Sequence, residues 1–229
     1  MQFAKSIRRW GERPRLSRAL PFALYVALLA LAPVLSAWLD FDARWLYGVQ
    51  ICVVIVALAA FWRQYHEINA GIRLSLSQWS LALAAGAAVF VLWIHLDQTW
   101  ATFGESEGFD PRRAGGGLNW PLVVTRLFGA AVVAPIMEEL FWRSLVMRWI
   151  ESPAFLRVAP ASTGVRAVVL SSVVFGLEHN LWFAGILAGL AYAWIYRQSG
   201  NLWAPIIAHS ATNLLLGIWI VWTGNWRFW

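Results

Sequence analysis

Several ionisable side chains of this chain lie inside long apolar segments, where such groups are rare. Glu138, Glu139 and Arg143 fall in one such segment, and His179 and His209 fall in two others. Because an ionisable group at the depth of a lipid bilayer is costly, its presence there marks a candidate functional site. Carboxylates and imidazoles are the groups that most often do general acid and base work. The pattern therefore indicates a membrane enzyme.

The spacing of the first group predicts separate roles for its two carboxylates. Residues four apart share a face of an α-helix, so Glu139 and Arg143 can form an ion pair that holds the arginine within the bilayer. Glu138 is rotated by about 100° around the helix axis and can point elsewhere. We therefore expect Glu139 to be structural and Glu138 to be free for general acid and base work.

The other two motifs each place two side chains on one helix face. Phe175 lies four positions before His179, so its ring can pack under the imidazole and restrict the imidazole's rotamers. His209 and Asn213 are likewise four apart. A single pair of this kind is most often a packing feature, but three pairs on separate helices predict a shared site. We expect Glu138 to meet both histidines there.

The composition places the chain in a membrane. Of its 229 residues, 60% are hydrophobic and 13% are charged, and the mean hydropathy is +0.58, which is too apolar for an ordinary soluble domain. Apolar runs near the length that crosses the hydrocarbon core, roughly 20 residues, occur at about 21–39, 45–62, 79–96, 121–149, 166–180, 181–196 and 202–222. We predict an all-α fold, a polytopic transmembrane helical bundle of seven helices, or of eight if the fourth run breaks at Pro135.

Residues 1–20 form a basic segment ahead of a single predicted transmembrane domain over residues 21–229. Only Glu12 opposes its positive charges, which are Lys5, Arg8, Arg9, Arg13, Arg15 and Arg18. The positive-inside rule explains such a cluster before a spanning helix more simply than nucleic-acid binding does. We predict a multi-pass protein of a cell (inner) membrane with a cytoplasmic N-terminus, an outer loop at 97–119 and, after seven crossings, an outer C-terminus.

Three further residue patterns carry expectations about packing and chemistry. Gly185 and Gly189 match the small-residue spacing that lets helices approach closely, and we expect them to serve internal packing rather than a dimer interface. Arg126 is expected to snorkel outward. Cys52 is the single cysteine, so an intramolecular disulfide and a cysteine-rich metal site are both excluded.

Taken together, the motifs Glu-Glu-x-x-x-Arg, Phe-x-x-x-His and His-x-x-x-Asn resemble those of the CPBP family, intramembrane endopeptidases related to type II CAAX prenyl proteases. The surrounding sequences APIMEELFWR (134–143) and NLWAPIIAHSATN (201–213) are similar as well, and the likeness covers about 121–217. The resemblance implies an intramembrane CAAX-protease-like fold. It also implies cleavage of a peptide bond near the C-terminus of a membrane-associated protein or peptide.

The resemblance also implies roles for individual residues. One carboxylate and one imidazole would activate a water molecule, while a second imidazole and an amide would stabilise the oxyanion: Glu138 with His179, and His209 with Asn213. Three residues would support and orient them: Glu139, Arg143 and Phe175.

Zinc is an open alternative to metal-free hydrolysis. His179, His209 and Glu138 are a common ligand set that leaves a fourth position for water. No His-Glu-x-x-His sequence is present, and the family resembles a glutamate-dependent hydrolase that uses no metal. We therefore expect no cofactor.

Two other functions and one narrower placement stay open at the level of sequence. A catalytically silent scaffold or immunity protein could share the fold, and a proton-coupled transporter could also use buried Glu and His. The size of the chain, its many tryptophans and Glu178 directly before His179 look similar to the CAAX-protease-related proteins found with bacterial exosortase sorting systems. Components of such a system would then be partners.

Overall fold

The structure, a computed structural model, describes residues 13–39, 42–104, 106 and 108–229. These residues form seven long helices and no β-strand. The helices are α1 (Pro14–Leu39), α2 (Leu46–Ala60), α3 (Leu76–His95), α4 (Trp120–Glu151), α5 (Val165–Leu177), α6 (Trp182–Ser199) and α7 (Trp203–Thr223). The predicted all-α bundle is confirmed. Most of the basic N-terminal segment, including Lys5, Arg8 and Arg9, lies outside the described residues.

Five of these helices are long and apolar enough to cross a membrane, namely α1, α2, α3, α4 and α7. Leucine, valine and tryptophan side chains on them are exposed, as expected where the surrounding solvent is lipid. The chain is a multi-pass membrane protein. Helix α5 has only 13 residues, about 20 Å at 1.5 Å per residue, which is shorter than the hydrocarbon core of about 30 Å. The residues that follow it, Glu178 and His179, can therefore lie below the surface of the bundle.

Helix α4 contains 32 residues and runs through Pro135 without a break, so the fourth apolar run is one helix. Its turns widen to π-helical geometry at Gly129–Val133 and Leu140–Met147. The first wide turn directly precedes Pro135, where a proline ring would otherwise clash with the carbonyl four residues earlier. Such turns are rare and occur frequently at functional sites. Glu138 and Glu139 lie between the two wide turns.

The loop at 97–119 and the last residues of the chain meet at one end of the bundle. Asp97 forms an ion pair with Arg227, and Arg44, between α1 and α2, donates to the carbonyl of Asp110 at 3.1 Å. The start of α1 and the end of α4 meet at the opposite end. Any odd number of crossings requires this separation of the two ends of the chain. Which end faces the cytoplasm stays a prediction.

Helices α5 and α6 approach each other closely through glycines. A Cβ atom on Gly185 would lie 2.9 Å from the Cα atom of Gly176, and one on Gly189 would lie 2.9 Å from the Cα atom of Ser172. Real Cβ atoms do not approach backbone this closely, so both positions need glycine. The expected internal packing role of Gly185 and Gly189 is thus present in the structure.

We expect Gly185→Ala to lower the free energy of unfolding by about 1–3 kcal/mol, because the added methyl group forces α5 and α6 apart. The measurement is denaturant unfolding in detergent micelles. Gly115→Ala is the matched control, since a Cβ atom there meets nothing within 4 Å, and it should leave stability unchanged. Equal effects of the two substitutions would contradict the packing described.

A buried network joins α1, the α2–α3 connection and α4 at the other end of the bundle. The fully buried Arg18 lies 2.6 Å from Glu67 through Nη2 and Oε2. The hydroxyl of Ser144 also donates to Glu67, and Arg148 Nη1 lies 3.4 Å from Glu67 Oε1. Burial alone raises the pKa of Glu67, but Arg18 and the Ser144 hydroxyl outweigh it and hold this pKa below its usual value.

This network predicts a stability that declines in acid. A carboxyl group whose pKa is lowered by folding contributes stability above its unfolded pKa of about 4.5, and that stability is lost as the pH falls through the lower folded value. We expect thermal unfolding in detergent to show this decline for the wild-type protein. Glu67→Gln should be less stable at neutral pH and should lack that part of the decline. An unchanged pH profile in Glu67→Gln would contradict the role of this ion pair.

Candidate active site

One cavity inside the bundle collects the residues that the motifs singled out. It encloses about 180 Å³, which is room for several water molecules. Five of the predicted residues line it: Glu138, Phe175, His179, His209 and Asn213. The other two, Glu139 and Arg143, are buried behind the wall of the cavity. The structure therefore brings all seven together.

A chain of polar contacts runs from Arg143 to the cavity. Arg143 Nε lies 3.1 Å from Glu139 Oε2, which is the ion pair that the spacing predicts. Glu139 Oε1 lies 3.0 Å from His209 Nδ1. Because an ionised carboxylate only accepts hydrogen bonds, Nδ1 carries a proton here. The contact orients the imidazole so that its Nε2 lies 3.9 Å from Glu138 Oε2.

Glu138 is the carboxylate that remains available for chemistry. Its side chain lines the cavity, and its Oε2 is buried without a hydrogen-bond partner among the described residues. Leaving a buried polar atom unpaired is costly. The adjacent cavity is large enough for a water molecule that would satisfy this oxygen. Glu138 and Glu139 thus differ in environment although they are neighbours in sequence.

His179 is fixed by the motif that contains it. Its Nδ1 lies 2.7 Å from the carbonyl oxygen of Phe175, and since a carbonyl can only accept, Nδ1 donates and Nε2 is left free. The rings of Phe175 and Trp93 pack against the imidazole, with centroids 4.8 Å and 5.4 Å away. The expected aromatic support is therefore present, and it holds the ring in one orientation.

Helix α7 presents His209 and Asn213 to the cavity with help from its neighbours. Asn213 Nδ2 donates to the carbonyl of Ala130 in α4 at 2.8 Å, which leaves the second amide hydrogen uncommitted. Tyr192 of α6 stacks on His209 with centroids 4.9 Å apart. Its hydroxyl donates to Thr212 Oγ1 at 2.8 Å. These contacts fix the face of α7 that carries both polar groups.

Glu178 is a second carboxylate at the site that the motif analysis left without a role. It accepts a hydrogen bond from Trp142 Nε1 at 3.0 Å. One ligand atom each from Glu138, Glu178 and His179 lie within 4.8 Å of one another. A metal ion in this group would therefore have Glu178 as a ligand where the sequence-based set has His209. Two carboxylates and an imidazole are chemically suitable ligands for zinc.

The expectation that Arg126 snorkels outward is wrong. Its side chain lines the same cavity as Glu138, with its guanidinium carbon 4.3 Å from the ring centroid of Tyr47 and 5.3 Å from that of Phe109. Two cation–π contacts inside the protein take the place of contacts at the membrane surface. The cavity thus has an acidic end and a basic end.

Sequence reasoning missed other residues of the cavity wall, among them Tyr25, Tyr192 and Thr212. Thr212 is three positions after His209, and this spacing puts both on one face of α7, so a signal existed for it. Tyr25 and Tyr192 come from α1 and α6, and no spacing connects either residue with a motif. Only tertiary structure brings them to the site.

Comparison with known proteins agrees with this geometry. Residues 119–215 match the family model described as "Type II CAAX prenyl endopeptidase Rce1-like". The chain is also 28% identical over 94 residues to a protein named "Putative membrane peptidase YdiL" from Bacillus subtilis (strain 168), a match that covers 39% of this chain.

That match covers 34% of the relative, so this chain spans about a third of the relative's length. No solved structure matches the chain. The narrower likeness to exosortase-associated proteins stays a prediction. The matched segment includes Glu138, His179, His209 and Asn213, and it is the segment on which the motif resemblance depends. Residues 119–215 are therefore similar to the type II CAAX prenyl endopeptidase Rce1-like family.

Proposed function

We propose that this protein is an intramembrane endopeptidase that hydrolyses a peptide bond near the C-terminus of a membrane-associated protein or peptide. The observation that carries the proposal is the buried, unpartnered Oε2 of Glu138 at a water-sized cavity, 3.9 Å from Nε2 of His209. A carboxylate oxygen of Glu138 also lies within 4.8 Å of a ring nitrogen of His179. Such an oxygen can hold and deprotonate a water molecule. The match of residues 119–215 to a family model of type II CAAX prenyl endopeptidases supports a protease.

The first step is addition of water to the scissile carbonyl. A ring nitrogen of His179 and a carboxylate oxygen of Glu138 lie within 4.8 Å of each other. A water molecule between the two side chains can therefore make a hydrogen bond to each. Glu138 takes one proton as the water oxygen bonds to the carbonyl carbon. His179 accepts a hydrogen bond from the same water and so directs its lone pair. Glu138 then gives the proton to the leaving nitrogen as the carbon–nitrogen bond breaks.

The negative charge that develops on the carbonyl oxygen must be stabilised by hydrogen-bond donors. The uncommitted amide hydrogen of Asn213 is one such donor, and Nε2 of His209 is the other when that imidazole is protonated. Glu139 holds the His209 imidazole in place for this role, because its carboxylate accepts from Nδ1 at 3.0 Å. Donors that are held in place before the reaction stabilise an oxyanion without reorganising.

We propose that this hydrolysis uses no metal ion. His209 is committed to Glu139 through Nδ1 and faces Glu138 through Nε2, so the three side chains form a proton-transfer arrangement by themselves. Purified protein that keeps its activity in a zinc chelator and contains less than stoichiometric zinc would support this proposal. Stoichiometric zinc that disappears in His179→Ala would contradict it.

We further propose that the protein lies in the cell (inner) membrane with its N-terminus in the cytoplasm. The basic residues that precede α1 support this orientation through the positive-inside rule. Because the 97–119 loop and the C-terminal residues lie at the other end of the bundle, a reporter fused after Trp229 should behave as external. A reporter that behaves as cytoplasmic would contradict the proposed orientation.

Comparative proteomics of membrane-protein C-termini tests the proposed activity and identifies the substrate. Cells that produce the intact protein are compared with cells that produce Glu138→Ala at the same level. We expect defined C-termini to disappear in Glu138→Ala cells and the corresponding longer proteins to accumulate. Identical C-termini in both strains, together with an unchanged cellular phenotype, would instead favour a catalytically silent scaffold.

A further inference from the structure

The basic end of the cavity contains Arg126, a cation that has no role in the proposed hydrolysis. Arg126 lines the cavity together with Glu138, His209 and Asn213. Its Nε is buried and has no hydrogen-bond partner among the described residues. Within the same part of the chain, no carboxylate lies within 4.0 Å of its guanidinium. The guanidinium is instead held over the rings of Tyr47 and Phe109.

A cation in this position is costly unless an anion joins it. The free-energy cost of removing a guanidinium from water is offset by a nearby opposite charge and by hydrogen bonds from its N–H donors. Stacking on two aromatic rings fixes the plane of the group, and its buried Nε donor has no hydrogen-bond partner among the described residues. A planar fork of N–H donors matches a carboxylate, to which it can donate two parallel hydrogen bonds.

We propose that Arg126 is a specificity-determining residue that binds the free α-carboxylate of the substrate. The inference rests on the proposed peptidase function and adds to it the reason why cleavage takes place near a C-terminus. With the carboxylate at Arg126, the chain runs through the cavity toward Glu138. An internal peptide segment has no free α-carboxylate, so it would leave the guanidinium of Arg126 without this partner.

The helix itself sets the distance between recognition and cleavage. Arg126 and Glu138 both belong to α4 and are 12 positions apart, which corresponds to at most about 18 Å along the axis. An extended peptide advances about 3.3–3.6 Å per residue. The scissile bond therefore lies within about five residues of the substrate's C-terminus.

The test measures binding of apolar tripeptides that differ only at the C-terminus. N-trifluoroacetylated peptides with a free carboxylate or a carboxamide are titrated against the full chain in phosphatidylcholine nanodiscs, and fluorine NMR of the peptide reports binding. A charge-assisted pair predicts that the acid binds about tenfold more tightly than the amide. Arg126→Gln should bind the acid and the amide equally, and Arg126→Lys should keep part of the preference for the acid.

Arg197→Gln is the matched control. Arg197 is half-buried like Arg126 and also has a buried Nε without a hydrogen-bond partner among the described residues, but it does not line the cavity. Its substitution should leave the ratio of acid to amide binding unchanged. Equal binding of acid and amide to the wild-type protein, or a ratio that survives in Arg126→Gln, would overturn the proposal.

Two further binding experiments distinguish carboxylate binding at Arg126 from lipid binding and from the proposed catalytic role of Glu138. If a net-anionic lipid headgroup were the true ligand of Arg126, replacing part of the zwitterionic phosphatidylcholine by phosphatidylglycerol would abolish the preference of the wild-type protein for the acid, and the proposal would be wrong. Glu138→Gln should retain the preference, because binding requires no turnover. The inference can therefore fail while the proteomic test of Glu138 succeeds, and the reverse is also possible.

Discussion

Glu138→Gln is expected to lower the rate of peptide hydrolysis by about 10²–10⁴-fold, the range that general acid and base catalysis contributes. Glutamine keeps the size of the side chain but cannot take a proton from water. The stability of the variant should equal or exceed that of the wild-type protein, because Oε2 of the buried carboxylate has no hydrogen-bond partner among the described residues and an uncharged amide costs less to bury. The measurement is turnover of a substrate found by proteomics, together with thermal unfolding of the same preparations.

Two other glutamates show whether the loss belongs to Glu138. Glu151 lies on the same helix outside the cavity and accepts a hydrogen bond from the backbone of Gly164, so Glu151→Gln should keep wild-type turnover. Glu178→Gln should cause a smaller loss than Glu138→Gln, because Glu178 is already engaged by Trp142. If Glu178→Gln abolished hydrolysis while Glu138→Gln did not, the general base would be Glu178.

Those features of the fold that depend on local sequence could be predicted. Hydropathy alone indicates seven apolar runs, since a spanning helix must satisfy its own backbone in lipid. The ion pair of Glu139 with Arg143 and the support of His179 by Phe175 follow from helical spacing. The continuity of α4 through Pro135 could not be predicted. It depends on a wide π-helical turn at Gly129–Val133, which no residue pattern indicates.

Features of the site that depend on packing between distant segments could not be predicted. Glu178 joins Glu138 because α5 ends at Leu177, in the interior of the bundle. Arg126 turns inward because Phe109, from the 97–119 loop, and Tyr47, from α2, provide aromatic rings for it. Hydropathy assigns an arginine in an apolar run to the membrane surface, and only tertiary contacts can reverse that assignment.

The buried ion pair behind the cavity predicts the largest loss of stability. Arg143 is 2% exposed and Glu139 is not exposed at all. Arg143 also donates to the carbonyl of Gly189 at 3.3 Å, and its guanidinium carbon lies 4.4 Å from the ring centroid of Phe175. One side chain thus ties α4 to α5 and α6. Because removal of one partner leaves the other charge buried, Arg143→Met should lower the free energy of unfolding by about 3–5 kcal/mol.

A double-mutant cycle tests whether this loss comes from the unpaired charge of Glu139. In Glu139→Gln with Arg143→Met, no charge remains unpaired, and the glutamine oxygen can still accept from His209 Nδ1. The double variant should therefore be more stable than Arg143→Met alone, as measured by unfolding with sodium dodecyl sulfate in mixed micelles. If the single and double variants were equally unstable, lost packing on Phe175 would be the cause. A loss below about 1 kcal/mol in Arg143→Met would mean that the pair behaves like an exposed one, and that His209 is oriented without help from the arginine.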